Sequence, residues 1–172
     1  RRWGEVLFDL SGPFGGYFAS MVRVGSLKAI SRGVGDSVYI GRRVTIKGAQ
    51  HLSIGNNVSV QEGCYLDCIG GLQILDDVSI AHACSILTFE HSWEDRQIPI
   101  RKNPLRLLST SVGPDVWIGC GSRLLAGVQL GSRVVVGAGA VVTRSNQVRS
   151  GVLLAGVPAR VVKTIDDQRV VS

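Results

Sequence analysis

Aliphatic residues recur with a six-residue spacing through most of this 172-residue chain. Neither the helical period of about 3.6 residues nor the alternation of an ordinary strand produces such a spacing. A short fixed repeat instead indicates a stack of similar units, none of which buries its apolar face alone. The repeated positions fall in two blocks: Val34, Ile40, Ile46, Ile54, Val60, Leu66, Ile74, Ile80 and Ile86, then Val112, Ile118, Leu124, Leu130, Val136 and Val142.

Three six-residue units make a turn of 18 residues, which closes as a triangular coil with three flat sides. Coils that pair in parallel, about 4.8 Å apart, place each aliphatic residue above its counterpart. We therefore predict an all-β fold, a parallel β-helix of about five coils. A β-sandwich is the alternative, but sandwich strands alternate and vary in length. The predicted corners contain residues that tolerate unusual φ angles: Gly41-Arg42-Arg43, Gly55-Asn56-Asn57, Asp76-Asp77 and Gly131-Ser132-Arg133.

The interruptions of the repeat all follow the third side of a coil. Ile46 and Ile54 are eight residues apart rather than six, as are Leu66 and Ile74. A loop insertion at about 89–111 likewise follows the third side of the next coil. Insertions on one face often mark the binding face of a repeat protein. We therefore expect the functional site along this edge.

The repeat also sets the domain boundaries. We assign residues 1–33 to an N-terminal cap segment, 34–165 to the β-helix domain and 166–172 to a C-terminal tail. The cap contains two apolar helical stretches, near residues 3–10 and 14–22, and both are too short to span a bilayer. We expect the cap to cover the end of the column, because a stack of repeats needs capping.

A peripheral membrane contact is the alternative role for the cap segment. It would use the same apolar stretches together with the basic residues Arg1, Arg2 and Arg23. The chain as a whole has a net charge of +6, and residues 112–172 contain seven basic and three acidic residues. This C-terminal excess suits an anionic ligand that carries phosphates. Basic residues do not cluster with interleaved aromatics, so we do not expect a nucleic-acid ligand.

The four cysteines form no CxxC pair, which argues against a disulfide framework and favours a reducing compartment. Cys64 and Cys84 occupy inward positions of the repeat and are expected to fill the core.

Two segments carry a resemblance to a known family. Residues 112–144 are VGPDVWIGCGSRLLAGVQLGSRVVVGAGAVVTR, followed by LLAGVPARVVK at 153–163, and residues 80–91 are IAHACSILTFEH. With the repeat, they resemble the hexapeptide-repeat acyltransferases over about residues 34–165. The likeness is to the maltose, galactoside and xenobiotic acetyltransferase branch and to the related polysaccharide O-acetyltransferases. It implies a left-handed β-helix, a homotrimer with active sites between subunits, and acetyl-CoA as donor.

Acyl transfer to a hydroxyl group needs a base, and histidine suits this because it titrates near neutral pH. The resemblance assigns this role to His91, with direct attack in a ternary complex. We expect His51 to be a surface residue and His82 a structural corner residue. A covalent nucleophile, Cys84 or Cys120, is the competing mechanism, which we disfavour because neither has an adjacent base in sequence.

The resemblance assigns the other site residues as well. The backbone N–H of Cys120 is the expected oxyanion donor. The expected acceptor-binding residues are Gln61, Asp67 and Trp117, although Gln61 stands where the family has Asn. The expected coenzyme-binding residues are Ala138, Thr143, Arg144 and Arg160. Three carboxylates could orient the ring of the catalytic histidine: Glu90, Glu94 and Asp95.

The insertion contributes a further group of residues that we expect to close over the neighbouring subunit's site and to favour an anionic acceptor: Trp93, Arg96, Arg101, Lys102 and Arg106. We expect no metal. The zinc carbonic anhydrases that share the fold need a histidine pair five residues apart, and the three histidines here are spaced by 31 and 9.

These observations lead to one expected function. We predict an acetyl-CoA-dependent O-acetyltransferase acting on a saccharide hydroxyl in the biosynthesis of a capsule, O-antigen or exopolysaccharide. The expected location is the cytoplasm or the inner face of the membrane. The alternatives are an N-acetyltransferase acting on an amino-sugar nucleotide and a catalytically silent scaffold trimer.

Overall fold

Two helices cover one end of a column of short strands in the computed structural model, which describes residues 2–144 and 149–165. The helices are α1 (Arg2–Ser11) and α2 (Gly16–Ile30). Leu27 and Ile30 of α2 join the core of the column, and α1 adds Phe8 to it. No helix in these two ranges has the length and apolar content needed to cross a membrane. The predicted tail at 166–172 lies outside the described residues.

Most of the strands form the three sides of a parallel β-helix. The first side contains β1 (Gly33–Val34), β4 (Leu52–Ile54), β7 (Leu72–Ile74), β12 (Thr110–Val112) and β15 (Gln129–Leu130). The second side contains β2 (Tyr39–Ile40), β5 (Ser59–Val60), β8 (Val78–Ile80), β13 (Val116–Ile118), β16 (Val134–Val136) and β18 (Val152–Gly156). The third side contains β3 (Thr45–Lys47), β6 (Tyr65–Asp67), β9 (Ser85–Ile86), β14 (Arg123–Leu124) and β17 (Val141–Val142).

Two antiparallel pairings complete the fold. The hairpin formed by β10 (Phe89–His91) and β11 (Leu105–Leu107) lies within the predicted insertion. At the far end of the column, β19 (Ala159–Thr164) folds back on β18. Single turns of 3₁₀ helix lie at Ala49–His51 and Ile100–Lys102. Residues 2–144 and 149–165 thus form five complete coils and one strand of a sixth, slightly more than the five coils predicted from the repeat.

The register confirms the predicted column of aliphatic residues. Ile80 pairs with Val60 below it and with Ile118 above it, and Ile118 pairs in turn with Val136. All four side chains are completely buried. Since each fully buried aliphatic side chain contributes about 1.5–3 kcal/mol, the repeated positions supply most of the stabilisation of the column.

The predicted corners also adopt the expected backbone conformation. The last residue of each has a positive φ angle: 54° at Arg43 and Asn57, 59° at Asp77 and 55° at Arg133. Left-handed residues at fixed positions let the chain turn sharply between flat sides, which explains why Asn, Asp and Gly are concentrated there.

Candidate active site

Most of the predicted site residues lie along two edges of the triangular column. The corner between the third and first sides, which we call the hairpin edge, comprises residues 47–52, 67–72, 87–110, 126–127 and 143–144. The corner between the second and third sides, which we call the glycine edge, comprises residues 41–43, 61–63, 81–83, 119–121 and 137–139. His91, Asp67, Thr143 and Arg144 belong to the hairpin edge, whereas Gln61, Cys120 and Ala138 belong to the glycine edge.

His91 is the last residue of β10, opposite Leu105 of β11, and its side chain is exposed. The ring of Phe89 lies beside its imidazole, edge to face, at 6.4 Å between centroids. The base of this hairpin is fixed by the buried Thr88, whose hydroxyl donates to the carbonyl of Asp67 and accepts from the amide of Gly70, both at 2.8 Å. The hairpin therefore holds the imidazole in solvent on a well-anchored support.

The loop beyond His91 is also held by internal hydrogen bonds. Asn103 is buried, and its Oδ1 accepts from the amide of Asp95 at 3.2 Å. Its Nδ2 donates to the carbonyls of Asp95 at 3.1 Å and Pro99 at 3.4 Å. A polar side chain in this position substitutes for missing strand pairing, which explains why an irregular loop is ordered here.

The carboxylates near His91 pair with arginines rather than with its ring. Glu90 accepts from Arg144 at 2.8 Å and lies 3.8 Å from Arg106. Arg106 is 2.5 Å from Glu94. Among the described residues, none of the three expected carboxylates has a hydrogen bond to the imidazole. The third, Asp95, instead accepts from the amide of Gln97 at 2.9 Å.

Asp67 lies deep in the hairpin edge. Its carboxylate accepts from the amide of Ile69 at 3.2 Å and from the hydroxyl of Tyr65 at 3.3 Å. Burial, with the negative charge of Asp67, raises the pKa of Tyr65. The carboxylate thus stabilises the bulge below the hairpin. To bind the acceptor as predicted, it would have to keep these two hydrogen bonds or exchange one of them.

The glycine edge is a stack of tight corners in which Cys120 lies above His82. The amide of Gly121 donates to the carbonyl of His82 at 3.0 Å, and the amide of Gly139 donates to the carbonyl of Cys120 at 2.8 Å. The N–H of Cys120 donates to no backbone acceptor within the described ranges. It is therefore available to a ligand, as the predicted oxyanion role requires.

Small residues are required on this edge because successive corners approach each other closely. A Cβ atom on Gly119 would lie 2.6 Å from the amide nitrogen of Ala138. Any larger residue at this corner would displace the backbone above it. Gly121 and Gly139 on the same edge face open space, because nothing lies within 4 Å of a Cβ added to either residue. The predicted place of the pantetheine arm is along this edge.

Cys64 and Cys84 are buried below the glycine edge, where the sequence predicted core-filling residues. Their thiols donate to the carbonyls of Ala81 at 3.1 Å and Gly119 at 3.2 Å. Interaction with the thiol of Cys84, together with burial, raises the pKa of Cys64, and the interaction with Cys64 lowers the pKa of Cys84. Because Cys84 is 1% exposed, it cannot reach a substrate as a nucleophile.

Two of the predicted residues lie on the second side of the column, outside both edges. Trp117 in β13 is 55% exposed and borders a surface cavity of about 420 Å³. Asp115 and Arg133 form an ion pair of 2.9 Å in the wall of this cavity. Arg160 is exposed in β19, opposite Ala155.

One chain does not bring His91 and the N–H of Cys120 together. The third side of the column, including β14, separates their edges, and a side of about five residues is roughly 16 Å long. No rotation of the His91 side chain spans that distance. The predicted residues can form one site only if the hairpin edge of one chain faces the glycine edge of another.

Gly70 offers a test of how the hairpin is positioned. A Cβ atom at this residue would lie 2.0 Å from the carbonyl oxygen of Thr88. We expect Gly70→Ala to displace the hairpin, to cost about 1–3 kcal/mol of stability and to lower activity. Gly33→Ala is the matched control, because nothing lies within 4 Å of its added Cβ. Urea unfolding measures the stability of the two variants. Equal stability would contradict the proposal that close packing of Gly70 against Thr88 positions the hairpin.

Known proteins with similar sequences agree with this architecture. Residues 109–144 match the model of the bacterial transferase hexapeptide (six repeats). A probable acetyltransferase of Mycobacterium tuberculosis is 31% identical over 131 residues, which are 76% of this chain and 43% of that protein. The galactoside O-acetyltransferase of Escherichia coli is 27% identical over 135 residues, which are 75% of this chain and 64% of that protein. This chain thus spans less than two thirds of either relative.

Solved structures show the same fold. A maltose O-acetyltransferase from Clostridium difficile 630 superposes with a TM-score of 0.84, at 24% identity, over 96% of this chain and 86% of that one. A galactoside acetyltransferase in complex with coenzyme A superposes with a TM-score of 0.83, at 24% identity, over 97% and 81%. The fold is therefore the left-handed β-helix that the resemblance implied. The chain therefore contains the bacterial transferase hexapeptide repeat at residues 109–144 and is similar over most of its length to acetyltransferases.

Proposed function

We propose that the protein is an acetyl-CoA-dependent O-acetyltransferase that acts on a saccharide hydroxyl in surface-polysaccharide biosynthesis. The observation that carries the proposal is the position of His91, exposed on an anchored hairpin along the edge that also carries Thr143 and Arg144. Acetyltransferases among the relatives and a coenzyme A complex among the similar structures support the same reaction class.

In the proposed mechanism, the imidazole of His91 takes the proton of the acceptor hydroxyl as its oxygen attacks the thioester carbonyl. The N–H of Cys120 from a neighbouring chain stabilises the oxyanion of the tetrahedral intermediate. When the intermediate collapses, the C–S bond breaks and the imidazolium returns the proton to the departing thiolate. The products are the acetyl ester and free coenzyme A, and no acyl-enzyme forms.

The proposed coenzyme site follows from the small residues of the glycine edge and the exposed arginines. The pantetheine arm lies against Ala138, and the nucleotide phosphates meet Arg144 and Arg160. Arg144 must then leave Glu90 or share its guanidinium with it, because the two are in contact without coenzyme. Among the described residues, no group of three or more His, Cys, Asp or Glu side chains could hold a metal ion.

A homotrimer is the proposed assembly because a site needs two edges from different chains. The hairpin also exposes large apolar side chains that suit a subunit contact: Trp93, Ile98, Ile100, Leu105 and Leu107. Of the basic loop residues, Arg106 is held by Glu90 and Glu94. The proposed attraction of an anionic acceptor therefore rests on Arg96, Arg101 and Lys102. Four free thiols fit a reducing compartment, for which we propose the cytoplasm.

The function is tested by an acceptor screen with labelled acetyl-CoA. Free sugars, sugar nucleotides, amino-sugar nucleotides and isolated glycans are incubated with the protein, and label in the acceptor is counted before and after mild alkali. Alkali-labile label in a glycan or sugar supports the O-acetyltransferase. Alkali-stable label in an amino sugar would establish the N-acetyltransferase instead. Failure to bind acetyl-CoA in calorimetry would leave only the scaffold function.

Replacing Cys120 distinguishes the proposed direct attack from a mechanism with a covalent acyl-enzyme. We expect Cys120→Ser to keep kcat within about threefold of the parent, because the oxyanion donor is main chain. A nucleophilic thiol would instead make this variant lose most of its activity. Because Cys120 is the half-exposed thiol and the other three are buried, we also expect maleimide to inhibit the parent but not the variant. Loss of kcat in Cys120→Ser would contradict direct attack.

A further inference from the structure

The helical cap exposes eight large apolar side chains, which we call the cap patch. It consists of the exposed large side chains of α1, of α2 and of the turn between them: Trp3, Val6, Leu7, Leu10, Phe14, Tyr17, Phe18 and Met21. Trp3, Tyr17 and Phe18 are 80%, 83% and 81% exposed. Because each aromatic side chain offers about 150–250 Å² of surface, the patch exceeds the 300–600 Å² typical of the largest patch on a monomer.

The patch follows from the residue pattern of α1, which is apolar on two faces. Gly4, Phe8 and Ser11 form the buried stripe, and the added Cβ of a residue at Gly4 would lie 2.7 Å from Ile30 of α2. The exposed stripe contains Trp3, Val6, Leu7 and Leu10. These residues form a second helical face that no part of the described chain covers. Capping the column therefore accounts for only one of the two faces.

Charge around the cap patch favours an anionic partner. Arg43 is exposed, and its amide donates to the carbonyl of Gly12 at 2.7 Å, so this residue lies beside the turn that carries Phe14. Arg42 packs next to Gly15 in the same turn but is paired with Glu62 at 3.1 Å, so the unpaired positive charge beside the turn is that of Arg43. The acidic residues Glu5 and Asp9 lie on the other flank of α1, where they line a cavity of about 250 Å³ between α1 and the first coil.

We propose that the cap patch docks the protein on an anionic phospholipid bilayer. A ridge of Trp, Tyr, Phe, Leu and Met side chains with flanking arginines fits the boundary between headgroups and acyl chains, which needs no complementary shape. The patch lies at one end of the column, so parallel columns in the proposed trimer would present three patches in one plane. Three weak contacts then act together, and binding becomes much stronger than for a single patch.

The helices bring one correction to the sequence prediction. Arg23 was expected to assist a membrane contact, but its side chain is completely buried. It cannot meet a headgroup, and the basic contribution comes from residues beside the turn instead.

Vesicle co-sedimentation of the full chain tests the proposal. The triple variant Trp3→Ser, Leu7→Ser and Phe18→Ser removes exposed side chains only, so its fold and acetyl-CoA binding are expected to be unchanged. We expect its binding to mixed phosphatidylcholine–phosphatidylglycerol vesicles to fall about tenfold or more. The matched control is Val161→Ser with Val162→Ser, which removes exposed apolar side chains at the opposite end of the column and should bind like the parent.

The same experiment contains the results that would overturn the proposal. Equal binding of the parent and the triple variant would show that the cap patch does not contact lipid. A smaller oligomer for the triple variant in sedimentation without vesicles would show that the patch joins copies of the chain. Binding that is as strong on pure phosphatidylcholine would remove the role of the arginines. None of these readouts needs a substrate, so they are independent of the proposed reaction.

Discussion

Replacing His91 by alanine is expected to lower kcat for acetyl transfer by about 10²–10⁴-fold, the contribution of a positioned general base. The Kd for acetyl-CoA should stay close to that of the parent, because the imidazole meets the acceptor hydroxyl rather than the nucleotide. Steady-state kinetics with the acceptor found in the screen measures the first quantity, and calorimetry measures the second. A loss confined to kcat is what removal of a transition-state interaction predicts.

His51→Ala is the control for this variant. His51 also lies on the hairpin edge, in the 3₁₀ turn Ala49–His51, but it carries no proposed role in the reaction. We expect its kcat to match that of the parent. Near-full turnover of His91→Ala, or an equal loss in both variants, would remove the proposed base and with it the proposed mechanism.

Replacing Arg23 by methionine is expected to cost about 2–4 kcal/mol of unfolding free energy, the largest stability effect that we predict. The guanidinium donates to three carbonyls from three parts of the chain: Ser11 at 2.6 Å, Phe14 at 3.1 Å and Ile40 at 2.9 Å. Burial lowers the pKa of this arginine. Methionine fills much of the same volume, so the loss comes mainly from the missing hydrogen bonds. The carbonyl of Ser11 still accepts from the amide of Phe14 at 3.1 Å.

Lys28→Met on the same helix is the control for Arg23→Met. Lys28 lies 3.6 Å from Asp36 with both side chains exposed, and such pairs contribute less than about 1 kcal/mol. Urea unfolding of the two variants gives the comparison. Arg23→Met as stable as the parent would mean that the desolvated charge costs as much as its hydrogen bonds contribute, which happens at some buried ionic sites.

The column could be predicted almost completely from the sequence. Positions such as Ile80 and Ile118 are aliphatic because they stack, and three six-residue units supply the three sides of a coil. The left hand of the column, in contrast, was implied by the family resemblance. The corners at Arg43 and Asn57 followed from the same spacing. The sixth coil was missed because, among the described residues, β18 is its only strand on the three sides of the column, so no repeat marks it.

The candidate site was less predictable, because its residues come together through distant contacts. His91 was predicted as the base from its place in the insertion and from the family resemblance, and its exposed position on a hairpin could not be predicted. The pairing of Glu90 with Arg144 could not be predicted. The two residues are 54 positions apart and meet only where the hairpin lies beside the fifth coil. Nor does any local pattern show that Thr88 and Asn103 anchor the loop.

The sequence by itself determined the stacked triangular column, its corners and the edge from which the insertion leaves, because each depends on a local period repeated along the chain. Only the tertiary structure decided that Arg23 is buried, that α1 has a second face which the described residues leave uncovered, and that most candidate residues lie on two separate edges. These features depend on which segments pack against each other. A repeat in the sequence contains no information about how a helix is rotated about its axis or in which direction a hairpin packs.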